Sequence, residues 1–544
     1  MKSTTKTLII LGIISVLYLV LFIAPNNTGT KDVNMIAVFN IDEYAQYPHA
    51  IGMLVPGDTL IKTLRNFFIY EHYFYGFPFY FWSAIALLPS LIVTGANWSS
   101  QTTLNMLLLR QIVNVLPMIV AVLLLVWMQT RYRRWWLSAG LFVLLLSIPV
   151  VVSNDLWWHP DSLAMLSVVV TLLFLDLDKQ RFGRYFFIAA AACGVAIGIK
   201  YEGVFFGLAI PIYLLWGALA HKISWKRMIG MAAAFVGIML AALVISNPLL
   251  LLPQERAEII HYQIWQYQQT TGGIIVASKQ AFFRLGVYPE SFRNNYGELT
   301  FMLLGMAGMI LGFLRPRHRV TTAMMLAFMV PSFITTNNAA SLRIYYFIPV
   351  AMLLLSNLAN LFPEPNETLE WPQWSRKVLP WVSILVGIAA VVQFGAFALN
   401  DAKQITNQIH REETSTSISL YEQIEPSILD RIVLNRKLVI LRDWKMYIPE
   451  KPAWRIEIDW NNITNDTIAS VKPDVIVLDQ ANVTLFTSPD ALQQAADVNQ
   501  MKQWQAFYGA AASDQLPGYK MVLNNKVGVV LVKDELYQQF LQSK

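Results

Sequence analysis

The residues of this chain best suited to chemistry are an acidic pair, Asp42 and Glu43, which follows the first long apolar run. A carboxylate beside hydrocarbon is costly to keep unless it faces a cavity, and such residues commonly mark a site. One of the two could take the proton from an incoming hydroxyl group as a general base. The alternative is a solvated loop start, because Asp and Glu are ordinary loop residues.

Two more polar clusters stand between apolar runs. His159 and Asp161 occupy a short turn, in which Asp161 is either a helix cap or a site residue, and His159 is a metal ligand, a base or a hydrogen-bonding group. Lys200 and Glu202 interrupt a stretch that is otherwise apolar from 185 to 219. They either pair with each other, or Lys200 holds a phosphate diester by its charge.

A fourth cluster, Arg343, Tyr345 and Tyr346, opens a later apolar run. Arg343 either extends to the membrane surface while the tyrosines anchor the interface, or it adds a second cation to the face that carries Lys200.

The composition identifies the elements that must position these groups. The chain has 544 residues, of which 55% are hydrophobic and 14% charged, against about 25% charged in soluble domains. Repeated apolar runs of membrane length predict a polytopic α-helical membrane protein. The single cysteine, Cys193, excludes an intramolecular disulfide. The net charge of +6 comes from short loops between apolar runs. It therefore indicates the orientation of the chain in the membrane and does not indicate a nucleic-acid partner.

The basic loops also predict the topology. If the aromatic segment 77–95 lies at the interface and does not cross, about eleven helices span the membrane and five basic loops share the cytoplasmic side. The N-terminus is then cytoplasmic behind an uncleaved first helix, with a cleaved signal peptide as the alternative, in a multi-pass protein of the plasma membrane. All four polar clusters then lie on the extracytoplasmic side. The five loops are Arg131/Arg133/Arg134, Lys179/Arg181/Arg184, Lys222/Lys226/Arg227, Arg315/Arg317/Arg319 and Arg376/Lys377.

Two domains are predicted. Residues 1–399 form the membrane domain, with a first outer loop at 25–103 that contains interfacial helices and a large outer loop at 247–298 that could cover the acceptor. Residues 400–544 form a small extracytoplasmic α/β domain, in which runs at 437–441, 474–478 and 528–532 are predicted strands. Asp443 and Asp479, at strand ends, are predicted to cap structure.

These motifs, taken in order over about residues 1–360, resemble the GT-C membrane glycosyltransferases. The branch they are most similar to contains the protein O-mannosyltransferases and the lipid A aminoarabinose transferase, although the His159-Pro160-Asp161 turn is more like that of the lipid-linked-oligosaccharide and GPI mannosyltransferases. The resemblance is carried by Asp42-Glu43, Arg110, Asp161, the corner at 198–203, and the helix start with Arg343, Tyr346 and Pro349.

The resemblance implies a sugar donor linked to polyprenyl or dolichyl phosphate, inverting transfer, and an acceptor hydroxyl on a protein, lipid or glycan. Asp42 would be the general base, with Glu43 and Asp161 shaping the site. Lys200 would contact the donor phosphate. The other candidates for substrate binding are Arg343, Tyr346, His159, Glu202 and Tyr345.

The chemistry agrees with this assignment. The phosphate leaving group needs cations as its charge grows, the incoming hydroxyl needs one base, and a single displacement needs no second nucleophile. We therefore expect no required cofactor; a divalent metal bound by Asp42, Asp161 and His159 is the alternative. Two other functions are open, namely oligosaccharyltransferase-like glycan transfer and a polytopic transporter or lipid flippase.

Overall fold

Apolar helices dominate the first 400 residues. The computed structural model describes residues 3–272, 288–337, 344–362, 373–459, 462–495 and 497–542. The first helices in chain order are α1 (Ser3–Leu21), α2 (Ile23–Asn26), α3 (Val33–Phe39), α4 (Ile41–Leu54), α5 (Leu60–Phe68), α6 (Phe77–Thr94), α7 (Thr102–Leu109) and α8 (Leu116–Thr130). A 3-10 helix, Gly95–Ser100, follows α6, and a π-helical turn, Arg110–Val115, joins α7 to α8.

The remaining helices of this part follow the same pattern of apolar segments joined by short polar turns. They are α9 (Trp135–Leu146), α10 (Pro149–Asp155), α11 (Asp161–Asp178), α12 (Arg184–Lys200), α13 (Phe206–Leu219), α14 (Trp225–Ser246), α15 (Pro253–Gly272), α16 (Glu290–Tyr296), α17 (Leu299–Leu314), α18 (Arg319–Asn337), α19 (Ile348–Ser356) and α20 (Gln373–Ile409). Short 3-10 helices lie at Glu202–Phe205, Pro248–Leu251, Ile344–Phe347 and Asn357–Leu361.

The chain is an integral membrane protein. Within the described residues, eight helices are long and apolar enough to cross a membrane, and ten do so if each of two bent pairs, α9 with α10 and α16 with α17, counts as one span. Each of the eleven predicted spans coincides with helix, including α11, which contains three aspartates, and α12, which has 17 residues. The segment Phe77–Ser100 is also long enough. Its place at the interface stays a prediction.

The segment 25–103, which was predicted to form the first outer loop, contains helices, as predicted. Helices α3, α4 and α5 lie between the first span and α6. Leu60 and Ile61 of α5 are 74% and 79% exposed, whereas Lys62 and Arg65 give the same helix a basic face. An amphipathic helix of this kind suits a membrane surface.

The C-terminal part contains a five-stranded sheet in the order β2-β1-β3-β5-β4. Strand β1 is parallel to β2 and β3, and β5 is antiparallel to β3 and β4. The predicted strands correspond to β1, β3 and β5, whereas β2 and β4 were not predicted. The elements are α21 (Thr416–Ser427), a 3-10 helix (Leu429–Arg431), β1 (Leu438–Arg442), β2 (Trp454–Ile458), α22 (Asn465–Val471), β3 (Val475–Asp479), α23 (Gln480–Thr487), α24 (Ala491–Gln494), α25 (Val498–Ala512), β4 (Tyr519–Asn524), β5 (Gly528–Lys533) and α26 (Asp534–Gln542).

The sheet domain contacts the first outer loop directly. Arg442, at the end of β1, is buried and donates to the side-chain oxygen of Asn34 at 3.0 Å. The hydroxyl of Tyr447 donates to Asp32, which caps the N-terminus of α3, at 2.7 Å. Glu412, just after α20, accepts from the backbone N–H of Gly29. The domain therefore holds the segment that leads into α4. Helix α20 continues past residue 400, so the division at 399/400 stays a prediction.

Candidate active site

Asp42 and Glu43 form the first turn of α4. The side chain of Asn40 caps this helix by accepting the backbone N–H groups of Asp42 at 3.1 Å and Glu43 at 3.2 Å. The N-terminus of a helix stabilises negative charge, so both carboxylates are placed where the helix dipole favours them. Their side chains then diverge, because Asp42 is exposed and Glu43 is fully buried.

Glu43 is part of a buried ion pair. Its carboxylate accepts Nε of Arg110 at 2.7 Å and Nη2 at 2.5 Å, and it also accepts the backbone N–H of Trp158 at 2.6 Å. The third nitrogen of Arg110 donates to the carbonyls of Asn26 and Thr28. Arg110 begins the π-helical turn, a local widening that often accompanies function. This network ties α4 to the turn before α11, and it fits the supporting role predicted for Glu43.

Asp42 faces a cavity of about 530 Å³, called here the main cavity. Helix α4, the loop before α6, the turn before α11, the end of α12, α15 and the helix start at 344–347 all contribute to its wall. Four of the predicted site residues besides Asp42 also line it. The lining comprises Ile41, Asp42, Ala45, Gln46, His72, Phe74, Tyr75, Trp157, His159, Lys200, Trp265, Gln266, Tyr345 and Tyr346.

Asp161 connects the polar groups behind the main cavity. One of its carboxylate oxygens accepts from Nζ of Lys200 and the other contacts Nδ1 of His159. The far nitrogen of His159, Nε2, lies 2.6 Å from the hydroxyl of Tyr75. Four side chains from three separate elements thus form one hydrogen-bonded chain, which starts at the ammonium group of Lys200 and ends at a phenol in the cavity wall.

Aromatic rings hold His159 in place. Trp157 stacks on its imidazole with ring centroids 4.2 Å apart and an interplanar angle of 10°. The backbone N–H of His159 donates to the side-chain oxygen of Asn114 at 3.0 Å. Burial lowers the pKa of His159 in spite of the nearby Asp161 carboxylate, so the ring is neutral at neutral pH. Burial also raises the pKa of Tyr75 well above its usual value, and this phenol keeps its proton.

The loop that carries Tyr75 is attached to the end of α12 by a close backbone contact. The N–H of Gly76 donates to the carbonyl of Ile199. A Cβ on Gly76 would lie 1.5 Å from the carbonyl oxygen of Gly198. Only a glycine allows this close approach of the loop to the end of α12.

Lys200 also separates the main cavity from a second one. The second cavity, of about 230 Å³, shares Phe74, Tyr75, Lys200, Gln266 and Tyr346 with the first, and adds Glu202. The ring of Tyr346 lies 4.3 Å from Nζ of Lys200, close enough for a cation–π interaction. One carboxylate oxygen of Glu202, Oε2, is buried and has no hydrogen-bond partner among the described residues.

A third cavity, of about 430 Å³, continues from the second past Tyr75, Tyr201 and Gln263, and its wall is largely apolar. The three cavities form a series from the exposed carboxylate of Asp42, past the cation of Lys200, to a hydrocarbon-like wall that includes Ile197, Leu243 and Ile259.

The remaining predicted site residues divide as follows. Tyr345 lies in the main cavity, where its hydroxyl shares a hydrogen bond with Ser153 at 2.9 Å. Arg343 lies outside the described residues.

For a metal, the described part of the chain has no group of three His, Cys, Asp or Glu side chains placed to bind one ion. Both oxygens of Asp161 are already occupied. The absence of a cofactor requirement stays a prediction.

Some cavity residues carried no role in the sequence analysis. Tyr75 and Trp157 are the most important, because one ends the hydrogen-bonded chain and the other fixes His159. Their signal was the high density of aromatic residues in two outer segments, which does not show which ring points inward. Helix α15 adds Trp265 and Gln266, both from the large outer loop that was predicted to cover the acceptor.

Comparison with known proteins supports the fold. No protein-family model matches the chain, and no curated protein matches its sequence. The structure is similar to that of ArnT from Cupriavidus metallidurans bound to undecaprenyl phosphate, with a TM-score of 0.52 and 12% identity over 97% of this chain and 98% of that one. It is also similar to the oligosaccharyltransferase AglB from Archaeoglobus fulgidus in complex with an inhibitory peptide and a dolichol-phosphate, with a TM-score of 0.52 and 12% identity over 91% of this chain and 72% of that one.

The apo form of the Archaeoglobus fulgidus oligosaccharyltransferase gives a TM-score of 0.51 at 14% identity. The fold is therefore the one that these solved structures share. It is the GT-C fold that the order of the motifs predicted.

Proposed function

We propose that this protein is an inverting membrane glycosyltransferase, which moves a sugar from a polyprenyl- or dolichyl-phosphate donor to an acceptor hydroxyl on the extracytoplasmic face. The observation that supports this best is the placement of Asp42 and Lys200. The exposed carboxylate and the buried ammonium line the same cavity. Transfer from a phosphate-linked sugar needs this combination of a base and a cation.

The proposed reaction is one displacement. The acceptor oxygen attacks the anomeric carbon, and its proton passes to Asp42. The bond between the anomeric carbon and the phosphate oxygen breaks, and the phosphate leaves with the bonding electron pair. An ammonium group has three N–H donors, and Asp161 takes one from Lys200. Lys200 can therefore donate to the phosphate while its pairing with Asp161 keeps it in position.

The series of cavities supports the direction in which the donor would lie. The phosphate would be near Lys200, where the main and second cavities meet. The sugar would occupy the aromatic main cavity, and the lipid chain would follow the second and third cavities. The two similar proteins with undecaprenyl phosphate and dolichol-phosphate in their structures are consistent with such a ligand.

The test uses the full-length protein in proteoliposomes with an acceptor extract. It is supplied with radiolabelled undecaprenyl- and dolichyl-phosphate mannose, glucose and aminoarabinose. We expect one donor to lose its sugar to an acceptor, and Asp42→Asn to slow that transfer by about 10²–10⁴-fold, the usual contribution of a general base. The matched control is Asp58→Asn, because Asp58 is an exposed carboxylate of the same outer loop. Full activity of Asp42→Asn would reject Asp42 as the base.

The same experiment separates the alternatives. A flippase or transporter would move the lipid across the bilayer and leave the sugar–phosphate bond intact. An oligosaccharyltransferase would need a preassembled glycan donor and an asparagine acceptor, so it would consume none of the monosaccharide donors.

A further inference from the structure

Tyr75 has a special position among the cavity residues. It lines the main, second and third cavities, and its side chain is partly exposed to them. Any ligand that spans the cavities passes the side chain of Tyr75. What that hydroxyl can offer to a ligand depends on where its single hydrogen points.

The direction of that hydrogen is set by the groups behind it. One carboxylate oxygen of Asp161 accepts a hydrogen bond from the ammonium group of Lys200. A buried carboxylate that is paired with a cation is ionised and can only accept hydrogen bonds. Its other oxygen contacts Nδ1 of His159. Nδ1 must therefore carry a hydrogen.

The side chain of His159 is 6% exposed, and this burial lowers its pKa and favours the neutral ring. A neutral imidazole has one N–H and one bare nitrogen, so a hydrogen on Nδ1 leaves Nε2 as an acceptor. The Tyr75 hydroxyl lies 2.6 Å from Nε2 and must donate its hydrogen to it. Only the lone pairs of the Tyr75 oxygen then remain for a ligand.

We propose that the Tyr75 oxygen is a dedicated hydrogen-bond acceptor for a hydroxyl group of the substrate, held in this role by His159, Asp161 and Lys200. The proposal rests on the proposed function for the identity of that hydroxyl, which belongs to the donor sugar or to the acceptor. A phosphate diester offers only acceptor oxygens, so the Tyr75 oxygen forms no hydrogen bond with the phosphate that Lys200 attracts. The two ends of the hydrogen-bonded chain thus recognise opposite chemical groups.

The first experiment measures binding and transfer for Tyr75→Phe. The control is Tyr132→Phe, because Tyr132 is far in sequence from the residues that line the cavities. This substitution removes a hydroxyl that donates to the carbonyl of Leu123. The probes are undecaprenyl phosphate, which has no sugar, and the polyprenyl-phosphate sugar that the wild-type protein consumes. We expect Tyr75→Phe to bind undecaprenyl phosphate normally and the sugar-linked lipid about fivefold to tenfold more weakly, the loss of one neutral hydrogen bond.

If the acceptor supplies the hydroxyl, both lipids instead bind normally and the KM for the acceptor rises by the same factor. Equal weakening of both lipids would show a structural role and overturn the proposal. Unchanged binding together with unchanged transfer would also overturn it.

The second experiment does not depend on activity. ¹⁵N NMR of histidine-labelled protein, assigned with a His159→Gln variant, should show an N–H at Nδ1 and a hydrogen-bonded bare nitrogen at Nε2. Tyr75→Phe should shift only the Nε2 signal. A hydrogen on Nε2 of the wild-type protein overturns the proposal. Failure of the wild-type protein to bind any polyprenyl phosphate rejects the proposed function, while the NMR result still decides the orientation of the Tyr75 hydroxyl.

Discussion

Arg110 and Glu43 meet in a bidentate ion pair, with Nε to Oε1 at 2.7 Å, and both side chains are 0% exposed. The pair joins the apolar segment Thr102–Thr130 to the helix that carries Asp42. Removing one partner leaves a buried charge uncompensated, which typically costs about 3–5 kcal/mol, whereas replacing both with apolar residues is much less costly.

Arg110→Met should therefore lower the free energy of unfolding strongly, and Arg110→Met combined with Glu43→Met should recover much of the loss. The double variant should still transfer sugar slowly, because the backbone N–H of Trp158 loses its acceptor and the turn that holds His159 is released. Thermal unfolding in detergent and the transfer rate are the two measurements. A double variant as unstable as the single one would contradict this account of the pair.

Lys200 should control the affinity for the lipid phosphate. Replacing Lys200 by Met alone would leave Asp161 unpaired, so the informative variant combines Lys200→Met with Asp161→Asn. We expect its affinity for undecaprenyl phosphate to fall about 10- to 100-fold, which corresponds to one charge-assisted hydrogen bond. Lys226→Met, at an exposed residue in the first turn of α14, is the control for the loss of one positive charge. Normal binding by the double variant would remove Lys200 from the phosphate site.

Gly76 should be intolerant of any side chain. Gly76→Ala would place a methyl group 1.5 Å from the carbonyl oxygen of Gly198, so the loop with Tyr75 must move away from Lys200. We expect a large loss of transfer with a smaller loss of thermal stability. Gly52→Ala is the matched control in the same outer loop, because no atom lies within 4 Å of its Cβ position and alanine favours helix by up to about 1 kcal/mol. Equal activity of the two variants would refute the close contact.

The sheet domain should lose stability as the pH rises. Burial raises the pKa of Asp443 to about 7 from its ordinary value of 3.8. Because the folded-state pKa is the higher one, the stabilising contribution is complete below about pH 4 and is lost as the pH rises through 7. The slope is about 1.4 kcal/mol per pH unit in that window.

Hydrogen-exchange protection of β1 and β3 in the full-length protein should therefore fall between pH 5.5 and pH 7, and Asp443→Asn should remove most of that fall. Asp474→Asn is the control. Its carboxylate is paired with Arg436, which holds its pKa below the ordinary value, so its own pH window lies lower. A pH dependence that survives in Asp443→Asn would assign the effect to another group.

The sequence predicted the position of several site residues because of a simple constraint. Asp42, His159, Lys200 and Tyr346 each lie near an end of an apolar segment, and the basic loops at the other ends predicted that they share one face. Their assembly in one cavity follows from that shared face. Their catalytic roles stay predictions.

Other features had no such signal. Arg110 lies within an apolar run, and only the fold shows that its charge is matched by Glu43. Tyr75 is one of many tyrosines, and its orientation depends on the contact of Gly76 with the end of α12. Strands β2 and β4 are edge strands with partly exposed residues, so they lack the continuous apolar run that identified β1, β3 and β5.

The contacts of Asp32, Asn34 and Gly29 with Tyr447, Arg442 and Glu412 also bear on the order of synthesis. The segment before Asp42 emerges early from the ribosome, whereas the side chains that hold it are made near the end of the chain, and domains form from the N-terminus onward. A chain that ends before the sheet domain would contain the membrane helices of the described residues and would lack the contacts that hold the segment leading into α4. Under the proposed function, transfer would therefore begin only after the sheet domain has been synthesised and has docked.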